Sequence, residues 1–162
     1  MQKKKKSLTK DQALYKLQRY CAYQDRCHQE ARNKLFELGV YGMDQEEVIT
    51  ELIKENFLNE ERFARSYARG KFYFQKWGRM KITNELRIRK ISPYLLKKAM
   101  EEIVEEDYLV TIDLLIEKKE NDYHLIDSPY ERKQKIANFL INKGFEAALA
   151  WERIKLVEKK DS

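Results

Sequence analysis

The chain has 162 residues, enough for one ordinary domain or a few small helical units, and carries 33 Lys and Arg against 27 Asp and Glu, a net charge of +6. Charged residues make up 37% of it, against about 25% in ordinary soluble domains, which favours an anionic partner. With only five Gly and two Pro, large multidomain enzymes, β-sandwiches, barrels and Gly-rich nucleotide folds are disfavoured and a nearly all-helical chain is expected.

In chain order, Lys3 to Lys6 form a basic start with no apolar run behind it, which reads either as a solvated end or as an arm touching phosphates. Cys21 and Cys27 are too few to staple a scaffold, and with only His28 and His124 they make no metal-ligand spacing, which points to a reducing cytoplasm. No apolar stretch approaches the roughly 18 residues of a membrane helix, so no membrane partner is expected. Cys27, three residues before Glu30, stands where a capping Ser would be natural. Gly39 and Gly42 bracket a turn, and Asp44 with Glu47 predicts a capping box for a helix carrying Val48, Ile49, Leu52 and Ile53. Asn59 caps the next helix, which has Glu60 and Glu61 in its first turn, runs through Arg62 to about Lys76, and has Gly78 beyond its end. Ser92-Pro93 is an N-cap and first-turn pair. Asp127-Ser128-Pro129 opens a helix from about Glu131 to Lys143, and Gly144 separates it from a final helix around Trp151.

The pattern repeats. At a lag of 51 residues, Ala31, Leu35 and Val40 fall on Ile82, Leu86 and Ile91; at a further 54 these fall on Ile136, Leu140 and Phe145. Asn33, Asn84 and Asn138 stand at one place in all three and are expected to make polar contacts between helices. The expected fold is all-α: three tandem three-helix repeats in an elongated, curved array, with a basic tail at 1–9 and units at 10–57, 58–106 and 107–162.

Charge is uneven across these units. The tail carries +4, the first unit −2, the second +5 and the third −1. Between Arg62 and Lys98 stand twelve basic residues and one acid, Glu85, a candidate anion-binding footprint. Phe63, Tyr67, Gly70, Phe74 and Trp77 form one apolar stripe at helical spacing, with Arg65, Arg69, Phe72 and Lys76 on another face. Arg79, Thr83, Arg87 and Lys90 line one side of the following helix. The candidate DNA- or filament-binding residues are therefore Arg65, Arg69, Lys71, Lys76, Arg79, Lys81, Arg87 and Lys90. Rings interleaved with this basic series are more often core, as Phe74 and Trp77 are expected to be; Phe72 and Tyr73, off that stripe, are the better candidates for stacking bases.

Chemistry of other kinds has little support. No phosphate loop, HExxH or CxxC occurs, and the paired acids at Glu46-Glu47, Glu60-Glu61, Glu101-Glu102 and Glu105-Glu106 are explained by capping and solubility. No enzyme activity, cofactor or metal is expected.

Asn56 to Ala64, N-F-L-N-E-E-R-F-A, resembles the GYLDDERFA segment of the RecX family. Gly78 to Ile91 resembles that family's G-x-x-R-I-x-x-E-L-x-x-K-G-I pattern, and Cys27 through Leu35 and Gly39 its S-x-x-E-L helix. The chain departs from the pattern at Asn59, Glu60, Cys27, Ala31, Lys81 and Lys90, the last replacing a Gly. The resemblance implies a small, non-catalytic, cytoplasmic, monomeric protein that binds the RecA recombinase filament on single-stranded DNA. It would limit recombinase and coprotease function, with double-stranded DNA as a further nucleic-acid partner. A nucleic-acid binder independent of RecA, and a scaffold for an acidic protein, remain as rival readings of the same basic surface.

Overall fold

The computed structural model describes residues 8–160, and the Lys3 to Lys6 segment lies outside them. Nine helices follow one another with no strand among the described residues: α1 Lys10–Tyr23, α2 His28–Glu37, α3 Gly42–Lys54, α4 Glu60–Tyr73, α5 Arg79–Ile88, α6 Pro93–Met100, α7 Glu105–Asp122, α8 Pro129–Asn142 and α9 Ala147–Lys160. The principal helix contacts run among α1, α2 and α3, among α4, α5 and α6, and among α7, α8 and α9.

The second helix of each triplet shows why the sequence repeats. Ala31 and Leu35, Ile82 and Leu86, and Ile136 and Leu140 are all buried, and so is the residue just past each helix: Val40, Ile91 and Phe145. Each helix closes the same way, by a hydrogen bond from that last residue to the Leu carbonyl: Val40 to Leu35 at 2.9 Å, Ile91 to Leu86 at 3.1 Å, Phe145 to Leu140 at 3.0 Å. The closure needs a left-handed residue in between, supplied by Gly39 (φ 80°), Lys90 (φ 59°) and Gly144 (φ 97°). Lys90 holds a conformation that costs an L-residue about 1 to 2 kcal/mol where the other two repeats use Gly. Asn33, Asn84 and Asn138 are exposed on these helices, not lodged between helices as expected.

Capping follows the sequence at several starts. Thr9 and Gln12 bond reciprocally at the head of α1, Asn59 accepts the Arg62 amide at 2.9 Å, and Ser92 and Ser128 cap the two helices that begin with Pro. The last of these opens at Pro129, earlier than Glu131. The Asp44–Glu47 box does not form. α3 begins at Gly42 after Tyr41, which leaves Asp44 inside its first turn, and the Gln45 amide instead bonds the Val40 and Arg32 carbonyls.

The phase of α4 also differs from expectation. Its buried face is Phe63, Ala64, Ala68 and Phe72, and its last helical residue is Tyr73, so Lys76 falls in the following turn at φ 59°. Phe72 is 1% exposed and Phe74 87% exposed, the reverse of the predicted assignment. Two overlapping sets of apolar positions satisfy helical spacing here. The set containing Ala64 and Ala68 wins because α4 packs along α6, and small side chains allow that close approach.

Two apolar cores result. One lies within α1 to α3, around Leu17, Leu35, Ile49 and Leu52. The other is continuous through α4 to α9 and also takes in Cys27. The first triplet meets the second through polar groups: the His28 amide bonds Glu60 at 3.2 Å and the Arg62 guanidinium bonds Asp25 at 2.8 Å. Burial holds the His28 imidazole below its ordinary range, while the Glu60 carboxylate, 3.3 Å from its Nδ1, pulls the other way.

The second and third triplets meet backbone to backbone. The Gly78 amide donates to the Lys143 carbonyl at 2.8 Å and the Met80 amide to the Gly144 carbonyl at 2.9 Å. A Cβ on Gly78 would lie 2.2 Å from the Gly144 carbonyl carbon, and one on Gly144 would lie 2.3 Å from the Lys81 Cβ. Tyr108 fills the interior of this seam, with Phe72 at 5.5 Å and Phe145 at 5.3 Å.

Gly78→Ala should therefore lose about 1 to 3 kcal/mol of stability or more, by overpacking against fixed backbone. Gly70→Ala, inside α4 with nothing within 4 Å of the new methyl, should gain roughly 0.5 to 1 kcal/mol. Urea unfolding of the two variants checks both signs. A second expectation concerns pH. Because folding depresses the His28 pKa, its contribution is present above the unfolded value of about 6.5 and is lost as pH falls from there through the folded value. Urea midpoints at pH values either side of 6.5 should show this loss in the wild type and less of it in His28→Gln.

Candidate nucleic-acid interface

The eight candidate basic residues divide into two kinds. Arg65 bonds Glu102 at 3.0 Å and Glu101 at 3.2 Å and lies 3.7 Å from Glu61, and Arg69 pairs with Glu102 at 3.1 Å. These arginines tie α4 to the end of α6. Arg79 ties α5 to the third triplet: it pairs with Glu146 at 3.0 Å and with Glu105, and its guanidinium lies 3.9 Å over the Tyr108 ring. Its backbone amide donates to the Tyr108 hydroxyl at 3.1 Å, and that hydroxyl donates to Glu146. Burial, then the bond to Glu146, pushes the Tyr108 hydroxyl far up, so it stays protonated as a donor.

The lysines are differently placed. Lys71 and Lys81 hold their ammonium groups 4.6 and 4.2 Å from the Trp77 ring centre, and Lys76 donates to the Tyr73 carbonyl at 2.7 Å. Trp77 is half-buried under them. Arg87 is exposed and donates to Asn84 at 3.3 Å, while Lys90 is exposed at the end of α5. Among the described residues, Lys71, Lys76, Lys81, Arg87 and Lys90 make no ion pair.

Sequence reasoning missed the other half of this surface. Lys143, in the turn after α8, donates to the Gln75 carbonyl at 3.1 Å, which brings it onto the loop that carries Lys76 and Trp77. Lys119 of α7 lies 4.2 Å over Phe139, with Lys143 5.8 Å from the same ring. The Lys143 ammonium is pushed below its ordinary range first by burial and then by the charges of Lys81, Lys118, Lys119 and Lys76. The only signal in sequence was the Lys118-Lys119 pair, hidden by averaging charge over a near-neutral third unit.

Of the aromatic platforms, Phe72 is excluded by burial, and Tyr73 is engaged across the seam, donating to Asp107 at 2.7 Å. The cysteines are buried, and burial raises both thiols to about 11, which leaves them without the thiolate that nucleophilic or redox chemistry needs.

Residues 59–100 match the RecX second three-helix domain, and residues 105–153 match the RecX third three-helix domain. The chain belongs to the RecX family. It is 30% identical over 143 residues to the regulatory protein RecX of Lactococcus lactis subsp. lactis, which covers 87% of this chain and 52% of that protein. It is 34% identical over 122 residues to the regulatory protein RecX of Clostridium perfringens, covering 74% and 56%. The chain thus spans about half the length of these RecX relatives. The crystal structure of RecX from Lactobacillus salivarius shares the fold, with a TM-score of 0.83 at 24% identity over 92% of this chain and 96% of that one. Among the described residues no helix is long and apolar enough to cross a membrane.

The division between framework arginines and unpaired lysines can be checked by stability alone. Arg79→Gln should cost about 1 to 3 kcal/mol, because it removes the charged partner of Glu105 and Glu146, leaving Glu146 with the Tyr108 hydroxyl alone, and takes the cation from Tyr108. Lys81→Gln should stay within about 0.5 kcal/mol of wild type. Equal thermal shifts for the two would abolish the distinction.

Proposed function

We propose that this RecX-family chain is a non-catalytic regulator that binds the RecA recombinase filament on single-stranded DNA. Acting in the cytoplasm as a monomer, it limits the recombinase and coprotease activities of the filament and so modulates DNA repair, recombination and the SOS response. The observation that carries the reading is the pairing of two matched RecX three-helix domains with a group of lysines of which, among the described residues, only Lys119 is ion-paired. Filaments expose phosphates along a helical groove, and a one-sided basic array suits such a partner. In this reading the chain divides into a tail at 1–9 and units at 10–57, 58–106 and 107–162. The second unit faces DNA or an acidic filament surface, and its neighbours bridge successive RecA subunits. Lys71, Lys76, Lys81, Arg87 and Lys90 supply free charge, and Arg65, Arg69 and Arg79 flank them from their ion pairs.

The test is ATP hydrolysis by the cognate RecA on single-stranded DNA, with this protein titrated into preformed filaments. Suppression well below one copy per RecA is expected. No suppression at excess, with folding verified, overturns the proposal. Equal affinity for bare and RecA-coated DNA would instead favour a binder that acts independently of RecA.

A further inference from the structure

The seam between the second and third triplets does more than join them. Lys76 and Trp77 sit on the loop whose next residue, Gly78, is hydrogen-bonded to Lys143, and Lys143 in turn bonds Gln75 on the same loop. Lys81 begins one turn later on α5, where its Cβ faces Gly144. Lys119 of α7 lies over the same Phe139 ring as Lys143, Lys118 stands exposed beside it on the helix, and the charges of both act on Lys143. Two aromatic rings fix these amines: Trp77 under Lys71 and Lys81, Phe139 under Lys119 and Lys143. The stems are thereby held in place before any ligand arrives.

Carboxylates are not scarce in this chain, yet they go elsewhere. Arg65, Arg69, Arg79, Arg89 and Arg153 are all paired. At the seam, Lys119 alone has a carboxylate, Asp122 at 3.3 Å; Lys71, Lys76, Lys81, Lys118 and Lys143 have none among the described residues. Like charges gathered without counter-charge repel one another, and an anion of high charge density relieves that repulsion.

We propose that Lys71, Lys76, Lys81, Lys118, Lys119 and Lys143 form one seat for the phosphate backbone of single-stranded DNA, assembled only where the second and third triplets meet. This deepens the filament reading and rests on it. It moves the phosphate contacts off the arginine ridge of one unit and onto a junction to which both units contribute. Phosphate is the better match than an acidic peptide: the ammonium groups are point charges that donate to a phosphate oxygen from any direction, and a single strand presents one such charge at every nucleotide to a cluster that lacks counter-charge. Nothing in the seat reads bases, so binding through it is independent of sequence.

The test is binding of a labelled oligothymidylate, followed by fluorescence anisotropy across a series of salt concentrations. Three proteins are compared: wild type, Lys118→Gln/Lys119→Gln/Lys143→Gln, and a control that removes equal charge from exposed sites elsewhere, Lys16→Gln/Lys54→Gln/Lys155→Gln. The seat variant should bind more weakly, with a salt slope smaller by about 2, at about 0.7 per lost single-strand contact. The control should keep nearly the wild-type slope. The corresponding triple Lys→Arg variant should retain it, which separates lost charge from lost fold, and circular dichroism verifies helicity in each protein. A seat variant with wild-type slope, or a control that falls as far, overturns the seat and leaves the filament reading standing. Failure of the wild type to bind DNA at all, bare or coated with RecA, removes both.

Discussion

At Gly78 and Gly144 two stretches of backbone approach more closely than any side chain would allow, and the arrangement of α4 to α9 depends on that approach. The contact lets two amides reach two carbonyls across the seam, so buried backbone polarity is satisfied without side chains. It brings Phe145 and Phe72 onto Tyr108, which turns what could be two small cores into one. Three-helix units of about fifty residues bury little surface alone; fusing two of them is how this pair obtains a larger interior. A substituent at either Gly would push the loops apart and unfasten each of these consequences together.

Arginine and lysine carry the same formal charge here and do different work. The arginines at 65, 69 and 79 end on carboxylates beyond their own helices, and Arg65 and Arg79 use two donors at once, as suits a planar fork. The lysines at 71, 76, 81, 118 and 143 end on ring faces, on a carbonyl, or in solvent. Net charge by unit, the quantity a sequence offers most readily, adds these two populations together. The structure separates charge that holds helices from charge that faces outward.

The repeat was legible because its signal is local and written three times: a buried Leu, a left-handed residue and a buried apolar residue five positions after the Leu. Asn59 and Ser92 were legible as caps for the same reason, since a cap is settled within four residues of chain. The register of α4 was not. Tyr67, Gly70, Phe74 and Trp77 continue an apolar stripe from Phe63 at helical spacing just as Ala64, Ala68 and Phe72 do, and only the proximity of α6 selects the small residues. The lysine junction was illegible for a stronger reason. Lys76 and Lys143 are distant in sequence and meet through a glycine contact that no periodicity announces.

The first triplet stands apart from all this. Its apolar core is its own, and it meets the rest through hydrogen bonds and ion pairs of moderate exposure, with Cys27 as its one peg in the larger core among the described buried residues. Opening of α1 to α3 therefore uncovers little of what stabilises α4 to α9, and the chain holds two cooperative blocks and not one. Amide exchange would register them as separate free-energy levels, with the front block released first. In such a division the rear six helices keep their shape while the front three open.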